Sequence, residues 1–302
     1  MSTSYHVAVI GLGAMGMGAA RSCLRAGLTT YGIDLSEQAR SQLQQAGAAA
    51  VMADARPLAE TLDAVLLLVV NAVQVRRILL GDEGLARHLK PGTAIMVSST
   101  IAAEEASALA AELAQLGLPM LDAPVSGGAI KADAGEMTVM AAGADAAFDK
   151  LAPVLDAVAG KLYRVGSEPG QGSTVKIIHQ LLAGVHIAVA AEAMALASKA
   201  GVPLDLMYDV VTHAAGNSWM FENRMPRVLT GDYQARSAVD IFVKDLTLVA
   251  DTAKALRFPL PLASTALNMF LGASNAGHGQ EDDSAVIKIF SGITLPGQED
   301  QA

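Results

Sequence analysis

A β-branched run at residues 6–10 (HVAVI) passes without a linker into GLGAMGMGAARSCLRAG, so Gly11, Gly13 and Gly16 stand between an expected strand and an expected helix. In that setting G-x-G-x-x-G permits a tight turn, bare backbone against a pyrophosphate and close helix–strand packing. The helix N-terminus adds N–H donors and a dipole that favours a phosphate. Leu12, Ala14 and Met15 complete the turn, and the whole stretch 11–16 reads as a dinucleotide loop. A second strand, near 29–33, ends in Asp34 at about the 20-residue interval where a carboxylate meets the adenosine ribose hydroxyls. An anion there repels a 2′-phosphate, and Leu35 and Ser36 follow rather than arginine, so the expected cofactor is NAD.

Strand and helix signals then alternate. A helix is expected over 36–46 and a short strand near 49–52, while AVLLLVV at 64–70 has the unbroken apolarity of a strand buried on both faces. Another such strand at 94–97 is followed by Ser98, Ser99, Thr100 and a helix through about 116. Units of this length build a doubly wound parallel sheet, in which ligands sit beyond the carboxyl ends of the strands. Asn71 and Thr100 both fall at that edge, and either could equally be a helix cap. After 118–121 comes DAPVSGGAIKADAG, where Ser126, Gly127 and Gly128 either form a backbone N–H nest for a carboxylate or make an ordinary loop. Strands near 136–142 and 160–164, with a helix at 144–158 between them, complete a first domain over 1–164.

The stretch from Gly166 to Gly201 organises the remainder. Between Ser173 and Pro203 there is no proline, and Ala, Leu, Ile and Val dominate, which predicts a helix over 173–200. At ~1.5 Å per residue it would be about 40 Å long. Lys176 and Gln180, four apart, share a face, with His179 beside them. A lysine in the first turns of a helix is ordinarily solvated or snorkelling, whereas a buried one needs a partner or a purpose. A membrane span also fits the length, but the alanine content and the central His186 and Glu192 argue against it.

Helical patterns at 204–214, 238–256 and 261–276 make the second domain, 165–302, all-helical, beginning with the long helix. Alanine-rich helices bury little area each, which suggests a homodimer or homotetramer sharing that helix. NSWMFENRMP lies between them, its Trp219 and Phe221 placed to wall a pocket or to fill a core or subunit contact. Lys244-Asp245 sets a charge on an apolar helix. His179 and His186 lack a carboxylate at metal-site spacing, so no metal is expected.

A chain of 302 residues exceeds one average core, in keeping with two domains. Net charge of −9 disfavours nucleic acid as a partner. The lone Cys23 suits a reducing, cytoplasmic setting, MSTSY has no secretory pattern, and the polar tail GQEDQA is expected to fray.

Taken together, VIGLGAMGMGAA, DAPVSGG, GQGSTVKIIHQ and VKDL, in that order along nearly the whole chain, resemble the β-hydroxyacid dehydrogenase family. The resemblance implies a Rossmann-type α/β domain joined by a long helix to an all-helical domain, and NAD-dependent oxidation of a small hydroxy acid. It makes Lys176 the catalytic acid/base. Ser126, Gly127, Gly128, Gln180 and His179 become substrate ligands, and Lys244 a cofactor ligand near the nicotinamide. KIIHQLLAGVHIAVAAEAM is most similar to the branch acting on L-threonate, with tartronate semialdehyde and 3-hydroxyisobutyrate enzymes as alternatives and a non-catalytic nucleotide sensor as a different class. One departure stands out: Gln180 occupies a position where the family usually has asparagine, one methylene shorter. A longer amide next to His179 suits a more hydroxylated acid.

Overall fold

The computed structural model describes residues 4–296, so the tail GQEDQA lies outside the described residues. The first half runs β1 (His6–Ile10), α1 (Ala14–Arg25), β2 (Thr29–Ile33), α2 (Glu37–Gln45), β3 (Ala50–Met52), β4 (Ala64–Leu67), α3 (Ala72–Leu80), β5 (Ala94–Val97) and α4 (Ala103–Gln115). It continues with β6 (Met120–Asp122), β7 (Val125–Ser126), α5 (Gly128–Ala134), β8 (Met137–Ala142), α6 (Asp145–Val158) and β9 (Ala159–Gly166). The sheet order is β3-β2-β1-β4-β5-β6-β8-β7, with β9 on β8. Order reverses between β1 and β4, the switch point at which such sheets take their ligands. β3 through β6 are parallel. β8 departs from the all-parallel expectation, running antiparallel to β6 through the pair Asp122↔Ala142.

Period-two alternation sorts the strands into two cores. Val7, Val9, Leu66 and Met96 face one way, onto α1 and α6 residues such as Cys23, Phe148 and Leu151. Ala8, Ile10, Val65, Leu67, Ile95 and Val97 face the other, with Val75, Leu79 and Leu109. The unbroken apolar runs of β4 and β5 follow from this, since both of their faces are covered. Burial pushes the Cys23 thiol up to about 12, so it behaves as a small hydrophobe rather than a nucleophile.

The second half comprises α7 (Gln171–Lys199), α8 (Leu204–Thr212), α9 (Trp219–Thr230), α10 (Val239–Ala255) and α11 (Pro261–Ala273), then a 3-10 turn over Asp283–Ile289. Two compact units divide inside α7, at Lys176/Ile177; the expected division at 164/165 puts the whole helix in the second domain. α7 is long and apolar enough to cross a membrane, yet half of its most apolar window is buried inside the molecule.

Two helices escape the sequence pattern. α9 occupies the NSWMFENRMP region because Ser218 caps it by accepting the Phe221 N–H at 3.1 Å and Gly231 closes it in the left-handed region. Pro226 inside the helix masks both signals. Phe221 is a core residue stacked on Tyr208, while Trp219 stays half exposed. α5 lies within the expected substrate loop, its start disguised by Gly127 and Gly128.

The second unit also buries two ion pairs that the sequence does not advertise. Arg224 grips Asp283 through Nε at 2.7 Å and Nη2 at 3.0 Å, and Arg227 holds Asp282. Burial pushes the Asp283 carboxyl above the usual carboxylate range, with Arg224 opposing the rise. Removing the guanidinium strands a buried carboxylate, so Arg224→Met is expected to cost about 3–5 kcal/mol at neutral pH. A carboxyl with a raised folded-state pKa loses stability as pH climbs through that pKa, and the variant raises it further. The gap in Tm between wild type and Arg224→Met is therefore expected to be wider at pH 7 than at pH 4, as read by thermal melts at both values.

Candidate functional site

The glycine loop is built by exclusion. Gly11 has φ of 90°, and a side chain there would strike the Leu68 carbonyl, while one at Gly16 would run into the Gly11 carbonyl. A Cβ on Gly13, by contrast, would meet nothing within 4 Å. That open space lies against the N-terminus of α1, where the first-turn N–H groups have no helical partner. It is a cradle for an anionic phosphate. Across the loop, Asp34 Oδ2 accepts the Leu12 N–H at 2.6 Å and Oδ1 accepts the Ser36 N–H at 2.7 Å. The acidic residue thus fixes the loop. Leu35 and Val70, just past β2 and β4, and Val73 in the first turn of α3 are exposed apolar side chains that no sequence motif marks.

Arg40 bears on this reading. It is not adjacent to Asp34 in sequence, yet α2 brings its Nη1 back to donate to the Asp34 and Leu35 carbonyls at 2.7 and 2.9 Å. A guanidinium therefore stands at the β2 turn, behind the carboxylate. At the end of β5, Ser98 Oγ donates to the Ala123 carbonyl, and the buried Ser99 Oγ next to Thr100 has no partner among the described residues. Asn71 proves to be a cap: its side chain accepts the Gln74 N–H at 2.9 Å. This leaves its other acceptor and its donors for a ligand.

Ser126 ends β7, and Gly127 and Gly128 follow with φ of 130° and 72°, values that exclude most side chains. A Cβ on Gly128 would again meet open space. Four residues before Ser126 on the same segment, the buried Asp122 reaches the start of α7. It accepts N–H groups of Gly170 and Ser173 at 2.8 Å each and the Ser173 hydroxyl at 2.7 Å. Burial pushes its carboxyl above the ordinary value, against the pull of these bonds toward the ionised form. Gly172 is required here, because a side chain would strike the Asp122 carbonyl. One turn on from this cap is Lys176, only 6% exposed, which excludes the solvated reading of that lysine.

Four side chains of the second unit form a connected set. Gln180 Nε2 donates to Asp245 Oδ2 at 2.5 Å, and Gln180 Oε1 meets His179 Nδ1 at 2.9 Å. Lys244 Nζ donates to Asp245 Oδ1 at 2.6 Å. Asp245 is 2% exposed and ties α7 to α10. Gly184, one turn beyond Gln180, admits Leu246 so closely that a Cβ there would stand 2.8 Å from it. Asp245 was legible only as a charge on an apolar helix; its partner is 65 residues away. Among the described residues no three His, Cys, Asp or Glu side chains gather as a metal site.

Comparison with known proteins shows the family and the fold. Residues 6–166 match the family described as the NAD binding domain of 6-phosphogluconate dehydrogenase, and 170–290 that described as the NAD-binding of NADP-dependent 3-hydroxyisobutyrate dehydrogenase. The chain belongs to the β-hydroxyacid dehydrogenases. An L-threonate dehydrogenase of Escherichia coli O6:H1 is 72% identical, covering 98% of both chains. The L-threonate dehydrogenase of Cupriavidus necator is 55% identical over 98% of this chain and 99% of its own. A crystal structure of 3-hydroxyisobutyrate dehydrogenase from Salmonella typhimurium superposes with a TM-score of 0.92 at 69% identity, covering 95% of this chain and 100% of that one. The protein is thus an NAD-dependent hydroxy acid dehydrogenase with a Rossmann-type domain and a helical C-terminal domain.

With Arg40 already at the turn, the Asp34 carboxylate is the group whose removal tests cofactor selectivity. Asp34→Ser is expected to raise the NADP/NAD ratio of kcat/KM at least about tenfold, since one lost charge repulsion is worth ~1–2 kcal/mol at this range. Initial rates with both nucleotides check it.

Proposed function

We propose that the chain oxidises L-threonate to its 2-oxo acid. The observation that carries this reading is the full-length similarity to relatives named L-threonate dehydrogenase, at 72% and 55% identity. Bound NAD supplies the hydride acceptor. Lys176, as the neutral amine, takes the proton of the carbinol hydroxyl while the C–H electron pair leaves as hydride and the C=O bond forms; in reduction it returns the proton. Ser126 and the backbone at Gly127 and Gly128 hold the substrate carboxylate, which sets the carbinol carbon against the cofactor. The second N–H of Gln180, beyond the one given to Asp245, orients the reacting hydroxyl, and His179 contacts the rest of the polyhydroxy chain. The glycine loop 11–16, Asp34, Asn71, Thr100 and Lys244 hold the nucleotide. The chain divides functionally into a nucleotide domain, 1–164, and a substrate and assembly domain, 165–302.

A second reading, 3-hydroxyisobutyrate as substrate, is favoured by the name of the Salmonella structure at 69% identity. Initial-rate NADH formation with the two acids decides between them. Selective turnover of L-threonate is expected, and selective turnover of 3-hydroxyisobutyrate would overturn the proposal. Lys176→Ala is expected to lose about 10²–10⁴-fold in kcat while NADH affinity, followed by fluorescence titration, stays near the wild-type value.

The protein works in the cytoplasm, consistent with its single buried, unpaired Cys23. It assembles as a homo-oligomer through α7. Val175, Leu182, Val189 and Leu196 recur every seven residues and are 38–69% exposed, with Ile178 beside them at 59%. A heptad stripe of this kind is the seam of a helix pair. Sedimentation is expected to give a multiple of the 31.0 kDa chain mass. Leu182→Glu with Val189→Glu should bring the mass down to the monomer value.

A further inference from the structure

The DAPVSGGAIKADAG stretch holds a lysine that the mechanism above does not use. Gly127 is the N-cap of α5, and Lys131 stands four residues on in the same helix. Side chains on a helix lean toward its N-terminus, so a long one at this position lies back over the cap. Lys131 does so: a Cβ on Gly127 would be 2.8 Å from its Cβ, 3.3 Å from its Cγ and 3.0 Å from its Cδ. The stem is laid along the loop. Two bonds of about 1.5 Å separate Cδ from Nζ, so the ammonium stays within about 6 Å of that point on Gly127 at any setting of the last torsions. Gly128 beside it faces open space. Lys131 is exposed, and among the described residues no carboxylate pairs with it; Asp133, two residues on, is taken by Arg21.

We propose that Lys131 is a substrate-binding residue, its ammonium pairing with the carboxylate received by the Ser126-Gly127-Gly128 turn. This rests on the hydroxy acid reading above and deepens it. Backbone N–H groups bring only partial charges to an anion. Lys176, acting as the neutral amine, takes the hydroxyl proton and cannot also neutralise the carboxylate. The two lysines therefore divide the work, one on the reacting hydroxyl and one on the acid group. A flexible stem ending in three donors suits a carboxylate already oriented by backbone, where a rigid guanidinium fork is not required. The selectivity that results is for a hydroxy acid over its uncharged amide, and it is independent of which hydroxy acid is bound.

Lys131→Met keeps a stem across Gly127 and removes the charge. With L-threonate and NAD it is expected to raise KM roughly tenfold while kcat stays within about threefold, and Lys131→Arg is expected to recover most of the loss. NADH affinity, by fluorescence titration, should match the wild type in both. The KM gap between wild type and Lys131→Met is expected to narrow from about 0.05 M to about 0.5 M salt, because an exposed charge is screened over that range. With L-threonamide, which has no carboxylate, the two enzymes are expected to be equal. An unchanged KM in Lys131→Met, or a gap that ignores both salt and the amide, would overturn the proposal. Gly128→Ala, which places a methyl in the open space of the loop, reports on the loop separately: if it raises KM where Lys131→Met does not, the loop stands and Lys131 alone is removed. Absence of L-threonate turnover in wild type would instead defeat the substrate assignment, and the same comparison on 3-hydroxyisobutyrate would still decide the role of Lys131.

Discussion

Two buried carboxylates hold α7, one on either side of Lys176. Asp122, from the end of β6, closes the helix N-terminus at Gly170 and Ser173; Asp245, from α10, takes the amide of Gln180 two turns later. Lys176 falls between these two fixed points. The energetics show what such bonds are for. Removing a carboxylate from water costs several kcal/mol, and charge-assisted bonds return about 1.5–3 kcal/mol each, so three acceptor contacts at Asp122 leave little net stability. The raised carboxyl of Asp122 is a sign of that near balance. What the arrangement supplies is placement: each carboxylate fixes the part of the 29-residue helix that lies in its own unit.

Much of this was legible in the sequence because it is local. The strand–glycine–helix unit, the apolar runs of β4 and β5, the acidic end of β2 and the long proline-free helix each follow from neighbours within a few residues. The hidden features fail that condition. α9 has a serine cap and a terminal glycine, but Pro226 between them breaks the helical pattern; the core packing of Phe221 and the grip of Arg224 on Asp283 stabilise the helix through contacts far along the chain. α5 begins on two glycines whose left-handed φ values resemble a loop until Gly135 ends the turn. Asp122 was visible only as the first residue of the DAPVSGG stretch, and Asp245 as a charge on an apolar helix. Their partners, 51 and 65 residues away, were not. Arg40 shows the same effect at short range, since only the geometry of α2 returns it to the turn it follows.

Asp34 braces the glycine loop through both of its oxygens. Its oxygens offer about four acceptor positions, of which the Leu12 and Ser36 N–H groups use two. The remaining lone pairs stay open to further donors. The loop is braced by these two bonds. Arg40 sits on the carbonyl side of the same turn, where it donates to the Asp34 and Leu35 carbonyls.

The extra methylene of Gln180 has a physical reason in the same terms. An asparagine there would place its amide about 1.5 Å short of Asp245, and the deficit could close only if α7 and α10 moved together. The contact at Gly184 forbids that: with no side chain present, Leu246 already stands where a Cβ would be 2.8 Å from it. The helices are as near as they can pack. A shorter amide would leave Asp245 Oδ2 buried without a donor, at a cost of about 1–3 kcal/mol or more for a charged group. Gln180 is thus fitted to Asp245 across a fixed gap, while its amide oxygen meets His179 Nδ1 at 2.9 Å.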